Sequence, residues 1–345
     1  MNNFFSSLPV KGVTDPAFLR ASGDDGHPGE EMNFYRRYFQ VAGITVCLES
    51  HLDFDRIKFK DELTAFAVDG PGQDNILLRH CFEMPGLSEL DLGCEVYRRP
   101  PWAIYIKNGV WCYKGILPEG GDDKIFRLAF FRADHTQGLI YSHAWEKEFI
   151  MANEWQSLSL FPTDQIWLGP LMAHRSSVLL HSAAAVFKGR GLAFVGHSDA
   201  GKSTIMEILK TWEVGRSSRV KKKDQQGRQV EILCDDRNIV RKWSQGWRVH
   251  GTWSHGDIAD VSANSAFLDA ILFLEHSGQN KVVRITDPRL IWPRILPTVI
   301  RPMVTAQWWN RQLDTLETLV HEVPCYNMFF DRSGAIIPEL ERLIS

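Results

Sequence analysis

Gly196-His197-Ser198-Asp199-Ala200-Gly201-Lys202-Ser203-Thr204 has the residue types and spacing that chemistry on phosphate requires. The string reads G-x-x-x-x-G-K-[ST], with a short apolar strand, Leu192 to Val195, before it and a helical run after it. Gly196 and Gly201 tolerate backbone angles that a side chain would forbid, so the loop can curl with its N–H groups pointing inward. Those amides and the positive end of the next helix would cradle phosphate oxygens. Lys202 would reach the outer phosphates as a point charge, and the Ser203 hydroxyl would ligate Mg²⁺. A nucleoside triphosphate is therefore the expected ligand, bound by residues 196–204.

A second acidic element is needed downstream, to help hold the metal or to accept the proton of an attacking hydroxyl. Gln229-Val-Glu-Ile-Leu-Cys reads as a buried strand and delivers Asp235-Asp236-Arg237 at its end. Successive strand side chains face opposite ways, so the two acids need not share one task. Arg248-Val-His-Gly-Thr-Trp-Ser-His-Gly-Asp257 is a glycine-punctuated loop that could close over such a site or form a plain hairpin.

These groups need elements to position them. At 345 residues the chain has room for two ordinary domains. Residues 1–35 are polar and glycine-bearing and read as a loosely ordered leader. Residues 36–165 read as β-rich. Phe39, Val41, Ile44, Val46 and Leu48 suggest a strand broken at Gly43. Asn108-Gly109, between Trp102–Ile106 and Val110–Tyr113, is a hairpin signal. Phe126–Phe131 and Gly138–Tyr141 suggest another strand pair. No acid pair, nucleophile–base pair or metal spacing stands out there, so a folding or docking module is expected. Helical character is expected from Ala144 to Leu160, with Asp164 to Gly169 as a connection.

Residues 166–345 read as α/β. Val178–Leu180 and Ala183–Phe187 look like two strand pieces, and the helix after the glycine loop is expected to end near Trp212, with Gly215 as its stop. Further strands are expected at Ile239–Trp243, Leu268–Glu275, Lys281–Ile285 and Cys325–Phe330. Asp287-Pro288 should cap a helix. Trp309, Leu313, Leu316 and Val320 recur at helical spacing and should face a core, and Ile336–Ile344 should form a last short helix.

Composition narrows the classes. Against 42 acidic residues stand 39 basic ones, a net charge of -3, which gives no overall pull toward nucleic acid or membrane. The six cysteines lack C-x-x-C pairs and histidine partners at metal spacing, so reduced thiols are expected. The opening MNNFFSSLPVKG lacks the pattern of an export signal, and no apolar run approaches a spanning length. A cytoplasmic location is the expectation. The basic stretch 216–228 reads either as a solvated loop or as a docking surface for an acidic partner.

The strand pair with its glycine turn, GHSDAGKST and LCDDR together resemble the C-terminal catalytic domain of the HPr kinase/phosphorylase family, and more broadly the HPr-kinase-related P-loop serine kinases. The likeness runs from Ser176 to about Leu274, and its loop architecture is shared with ATP-dependent phosphoenolpyruvate carboxykinases. It implies a P-loop catalytic domain of mixed sheet with helices, preceded here by the β-rich domain. It also implies that His181, seventeen residues before Ser198, sits beside the reacting phosphoryl group. By the same likeness, Asp235 acts with Ser203 on the metal, and Asp236 and Lys202 complete the catalytic set. The family's later Arg-Gly-Leu-Gly signature has no counterpart, since that region reads HGTWSHGD. The resemblance implies ATP- and Mg²⁺-dependent transfer of a γ-phosphoryl group to a hydroxyl, serine above all, of a protein or peptide, and a homo-oligomer. A nucleotide-binding sensor or scaffold with little catalysis stays open beside it, as does a small-molecule or carboxykinase-like enzyme.

Overall fold

The computed structural model describes residues 34–86, 90–117, 125–217, 229–301 and 305–345. All but the last two residues of the expected leader lie outside these, and so do the side chains of the basic stretch 216–228. The chain divides into two units between Leu171 and Met172. It is mixed α/β, and its described residues include seven α-helices.

In the first unit, β-branched and aromatic residues build strands because they pack well on a pleated surface. The order is β1 (Tyr35–Val41), β2 (Ile44–Ser50), α1 (Asp61–Thr64), β3 (Ala67–Val68), β4 (Asp74–Cys81), β5 (Cys94–Arg99), β6 (Trp102–Lys107), β7 (Val110–Ile116), β8 (Ile125–Phe131), β9 (Gln137–Tyr141) and α2 (Ala144–Ala152). They form one nine-stranded mixed sheet, β3-β1-β2-β4-β9-β8-β7-β6-β5, in which β4 is parallel to β2 and to β9. The break expected at Gly43 is a two-residue hairpin turn, with Ala42 at φ 49° and Gly43 at φ 76°. Asn108 and Gly109 make the same kind of turn between β6 and β7.

Helix does not continue to Leu160. It stops at Ala152, and the chain beyond is organised by Asp164, whose carboxylate accepts from the amides of Leu158 and Ser159 (both 2.8 Å) and from Trp167 Nε1 (3.0 Å). The connection expected at 164–169 is instead the start of α3 (Gln165–Ala173).

The second unit contains β10 (Ser177–Phe187), β11 (Arg190–Val195), α4 (Lys202–Ser217), β12 (Val230–Cys234), β13 (Arg237–Trp243), β14 (Gly246–His250), β15 (Ser265–His276), β16 (Lys281–Arg284), α5 (Trp292–Ile295), α6 (Ala306–Glu322), β17 (Cys325–Phe330) and α7 (Ile337–Leu343). The two strand pieces expected at 178–187 are one strand, because β10 changes partner midway. Its Ser177–His181 half pairs with β13, whereas Ser182–Phe187 pairs with β11 and Ala184–Phe187 also with β12. The polar pair His181-Ser182 marks that switch rather than a loop. β11, β15 and β17 run parallel, and their carboxyl ends open on the same edge of the sheet.

Both faces of this sheet are covered, which explains the near-continuous apolar runs of β11 and β15. Leu192, Phe194 and Leu272 pack with Ile205 and Leu209 of α4. Ala193, Val195 and Phe273 pack in the cluster that holds Leu316 and Leu319 of α6. α4 outlasts its expected stop at Trp212. Gly215 lies in open space in the helix, where glycine costs only about 1 kcal/mol. On α6, Leu316 and Val320 are buried as expected and Trp309 packs against the same core, while Leu313 is 39% exposed and Trp308, Gln312 and Leu319 complete the buried face. Asp287 caps only a single 3-10 turn, Pro288–Leu290. All six cysteines are free thiols, and no described helix is long and apolar enough to cross a membrane.

Candidate functional site

Three parts of the second unit meet at the carboxyl edge of its parallel strands, where ligands of open α/β sheets commonly sit. The first is the Gly196–Ser203 loop joining β11 to α4. Asp199 has φ 65° and Gly201 φ 95°, so the chain turns through left-handed conformations twice. A Cβ on Gly201 would lie 2.7 Å from Phe330 Cζ and 2.9 Å from His276 Cε1, and one on Gly196 would lie 2.5 Å from Ala200 Cβ. Glycine is thus required at both positions by space, and at Gly201 by backbone angle as well. His276, at the end of β15, bonds the Asp199 carbonyl (Nε2 to O, 3.0 Å) and holds the loop's shape.

The second part is the Asp235-Asp236 turn between β12 and β13. It is pinned to the partner-switch point of β10 by Ser182 N donating to Asp236 O (3.0 Å). Asn238 Nδ2 adds bonds to the carbonyls of Ser182 (2.6 Å) and Cys234 (3.1 Å). That anchor sets the two carboxylates in different surroundings. Asp235 is 2% exposed. Its Oδ1 accepts from Gly256 N (2.6 Å), and its Oδ2 accepts from Ile258 N (2.9 Å). Asp236 Oδ1 is 2.9 Å from His181 Nε2, and its Oδ2 is 2.5 Å from Arg237. Burial pushes the Asp236 carboxyl upward, but the His181 hydrogen bond and the charges of Arg237, His181 and Lys202 outweigh it. The net result is a pKa below the ordinary carboxylate value.

The third part is Lys202, the first residue of α4. Its side chain is buried and its Nζ donates to the carbonyls of Gly196 (3.1 Å) and His197 (3.0 Å). Burial lowers its pKa from the ordinary value, against the raising pull of Asp236, Asp235 and Asp199. Next to it, Ser203 Oγ lies 3.3 Å from Asp235 Oδ2 and 3.4 Å from Asp257 Oδ2.

A cavity of about 470 Å³ is lined by His181, Ser198, Lys202, Ser203, Asp235 and Asp236, among others. Gly201, Asp199 and Thr204 also line it, whereas Gly196, His197 and Ala200 do not. Four lining residues were not among the expected site residues: Gly256, Asp257, His276 and Arg332. Gly256 and Asp257 sit in the glycine-punctuated loop already noticed in the sequence. His276 ends β15 and Arg332 follows the end of β17, so only the parallel pairing of β11, β15 and β17 would have pointed to them.

Among the described residues no group of three His, Cys, Asp or Glu side chains converges as a ready-made metal cage. The set around Ser203 is all oxygen: a hydroxyl flanked by two carboxylates. That chemistry fits a hard cation such as Mg²⁺, which keeps several waters and takes much of its coordination from substrate phosphates. The amides of Gly256 and Ile258 would orient the Asp235 oxygens from the other side.

No family model and no curated protein matches this chain. Among solved structures it is similar to the Hpr(Ser) kinase/phosphatase from Coxiella burnetii, at 10% identity over 48% of this chain and 87% of that one, with a TM-score of 0.25. So low a score carries no weight.

Proposed function

We propose that this chain is an ATP- and Mg²⁺-dependent kinase that moves a γ-phosphoryl group to a hydroxyl, preferably a serine, of a protein or peptide. In this reading residues 166–345 are a P-loop catalytic domain of the HPr-kinase-related kind, and 36–165 are a folding or docking module. The observation that carries it is the meeting, in one cavity, of a glycine-loop helix start, a buried lysine, and two carboxylates with separate partners.

The loop amides and the start of α4 bind the phosphates, and Lys202 exchanges its two carbonyl partners for phosphate oxygens. Ser203 and Asp235 would hold Mg²⁺, which when bound would neutralise charge on the phosphates. Asp235 is ill-suited to act as base, because both its oxygens already accept backbone bonds. Asp236 faces the cavity with its pKa held low, so it is ionised at neutral pH and directs the acceptor hydroxyl. As the acceptor oxygen bonds to the γ-phosphorus and the bridge to the β-phosphate breaks, its proton passes to the Asp236–His181 pair and ADP leaves. Positioning and charge neutralisation supply most of the acceleration.

The test is transfer of label from γ-labelled ATP to protein acceptors in a lysate. Wild type should transfer label. Lys202→Ala should lose ATP binding, and Asp236→Asn should keep binding but lose transfer. Full transfer by Lys202→Ala would refute the assignment. Binding without any transfer by the wild type would favour the sensor or scaffold.

A further inference from the structure

Beside the phosphate cavity lies a second one of about 670 Å³. Ser203, Thr204, Asp257 and Arg332 line both, so the two spaces adjoin along the first turn of α4. From there the second cavity follows one face of the helix through Ile208 and Thr211 to Trp212. Ser203 to Thr211 is eight residues, or ~12 Å along the axis. The opposite wall is the Arg332–Gly334 turn and Ile337 of α7.

The lining changes character along this path. At the shared end it is polar and charged. At the far end Ile208, Trp212 and Ile337 are apolar. Trp212 is held in place by Phe187, with ring centroids 5.2 Å apart, and by Lys188 Nζ at 5.7 Å from its ring. Asp331 Oδ1 accepts from Ser333 N (2.9 Å), which fixes the turn that carries Arg332. Gly334, at φ 80°, brings that turn against α4: a Cβ there would sit 3.8 Å from Ile208 Cγ2.

A slot that starts at the phosphate cradle, turns from polar to apolar, and ends on an aromatic side chain matches the order of parts in a nucleotide: phosphates, sugar, flat base. We propose that this second cavity is the nucleoside subsite. The sugar lies near Thr204, Asp257 and Arg332, and the heteroaromatic base lies between Ile208, Trp212 and Ile337. This deepens the kinase reading and rests on it. It also assigns the two ends of the site, because the α4 side is then filled by the donor's nucleoside. The acceptor hydroxyl must therefore enter from the His181–Asp236 side of the first cavity.

The experiment compares the binding of ATP and of inorganic tripolyphosphate to the full chain, by calorimetry with Mg²⁺ in excess. Tripolyphosphate reads the phosphate cradle alone. Wild type should bind ATP at least tenfold more tightly than tripolyphosphate. Thr211→Trp, at an exposed helix position, plugs the second cavity and should weaken ATP at least tenfold while leaving tripolyphosphate within twofold. Glu207→Trp, also exposed and on the same face, gives an independent plug and should act alike. Equal affinity of wild type for both ligands, or plugs that leave ATP unaffected or weaken both ligands equally, would overturn the nucleoside subsite and leave the phosphate cradle standing. Wild type binding neither ligand would overturn both readings.

Discussion

Asp235→Asn separates the structural duty of this carboxylate from any later duty toward a metal. Asp235 is 2% exposed and accepts two backbone bonds, from Gly256 N at 2.6 Å and Ile258 N at 2.9 Å. Asparagine keeps one acceptor oxygen and replaces the other with an NH₂ group, which would face an amide N–H. Leaving one buried donor unmet costs about 1–3 kcal/mol, and turning the surviving charge-assisted bond into a neutral one costs roughly another 1 kcal/mol. The sum is a loss of about 2–4 kcal/mol, large against the usual stability of a domain. Urea unfolding of the metal-free protein, followed by tryptophan fluorescence, would read it as a lower midpoint at unchanged slope. Amide exchange should meanwhile speed up at Gly256 and Ile258. A loss under about 0.5 kcal/mol with no change in exchange would refute the placement of Asp235 as the loop's anchor.

Other outcomes follow from the same geometry. Gly201→Ala should cost about 2–4 kcal/mol, from left-handed strain and from contacts with the Phe330 and His276 rings, and should abolish phosphate binding; an unperturbed unfolding curve would contradict it. Asp236 has a lowered folded pKa, so its stabilising contribution is present above the unfolded carboxylate value and is lost as pH falls through the folded one. His181→Ala should move that loss to higher pH, and an acid limb identical to wild type would sink the pairing. His250 is held neutral, its pKa lowered to about 3, first by burial and then by Arg248 and Arg241, and its Nε2 accepts from Trp243 Nε1. Between pH 6.5 and 3 the unfolded chain binds a proton that folded His250 refuses. Stability should therefore fall with pH there by up to ~1.4 kcal/mol per unit, and His250→Gln should flatten that slope in urea melts at pH 6, 5 and 4.

The glycine loop, the Asn-Gly hairpin and the buried runs of β11, β12 and β15 were legible because each is written in local residues: turn glycines, β-branched stretches and their spacing. What depended on distant partners was not. His181-Ser182 looked like a break between strands, yet it is where one long strand passes from pairing with β13 to pairing with β11 and β12. The helical extension toward Leu160 failed because Asp164 offers the backbone of Leu158 and Ser159 another hydrogen-bonding partner. Strand alternation showed that Asp235 and Asp236 need not share one task, but not what sets them apart. Their difference arises from a loop 21 to 23 residues further on, which supplies amides to one, and from β10, which supplies a histidine to the other. Arg332 carries no local signal, since only the parallel placement of β17 brings it to the cavity.

The most direct measurement is a crystal structure of the full chain with a non-hydrolysable ATP analogue and Mn²⁺, whose anomalous signal locates the ion. It should show the β- and γ-phosphates within hydrogen-bond reach of the 198–203 amides and Lys202. The ion should lie between Ser203 Oγ and the phosphates on the Asp235 side, with Asp236 and His181 facing the γ-phosphorus. A triphosphate seated elsewhere, or one bound there with both carboxylates turned away from it, would contradict the kinase reading.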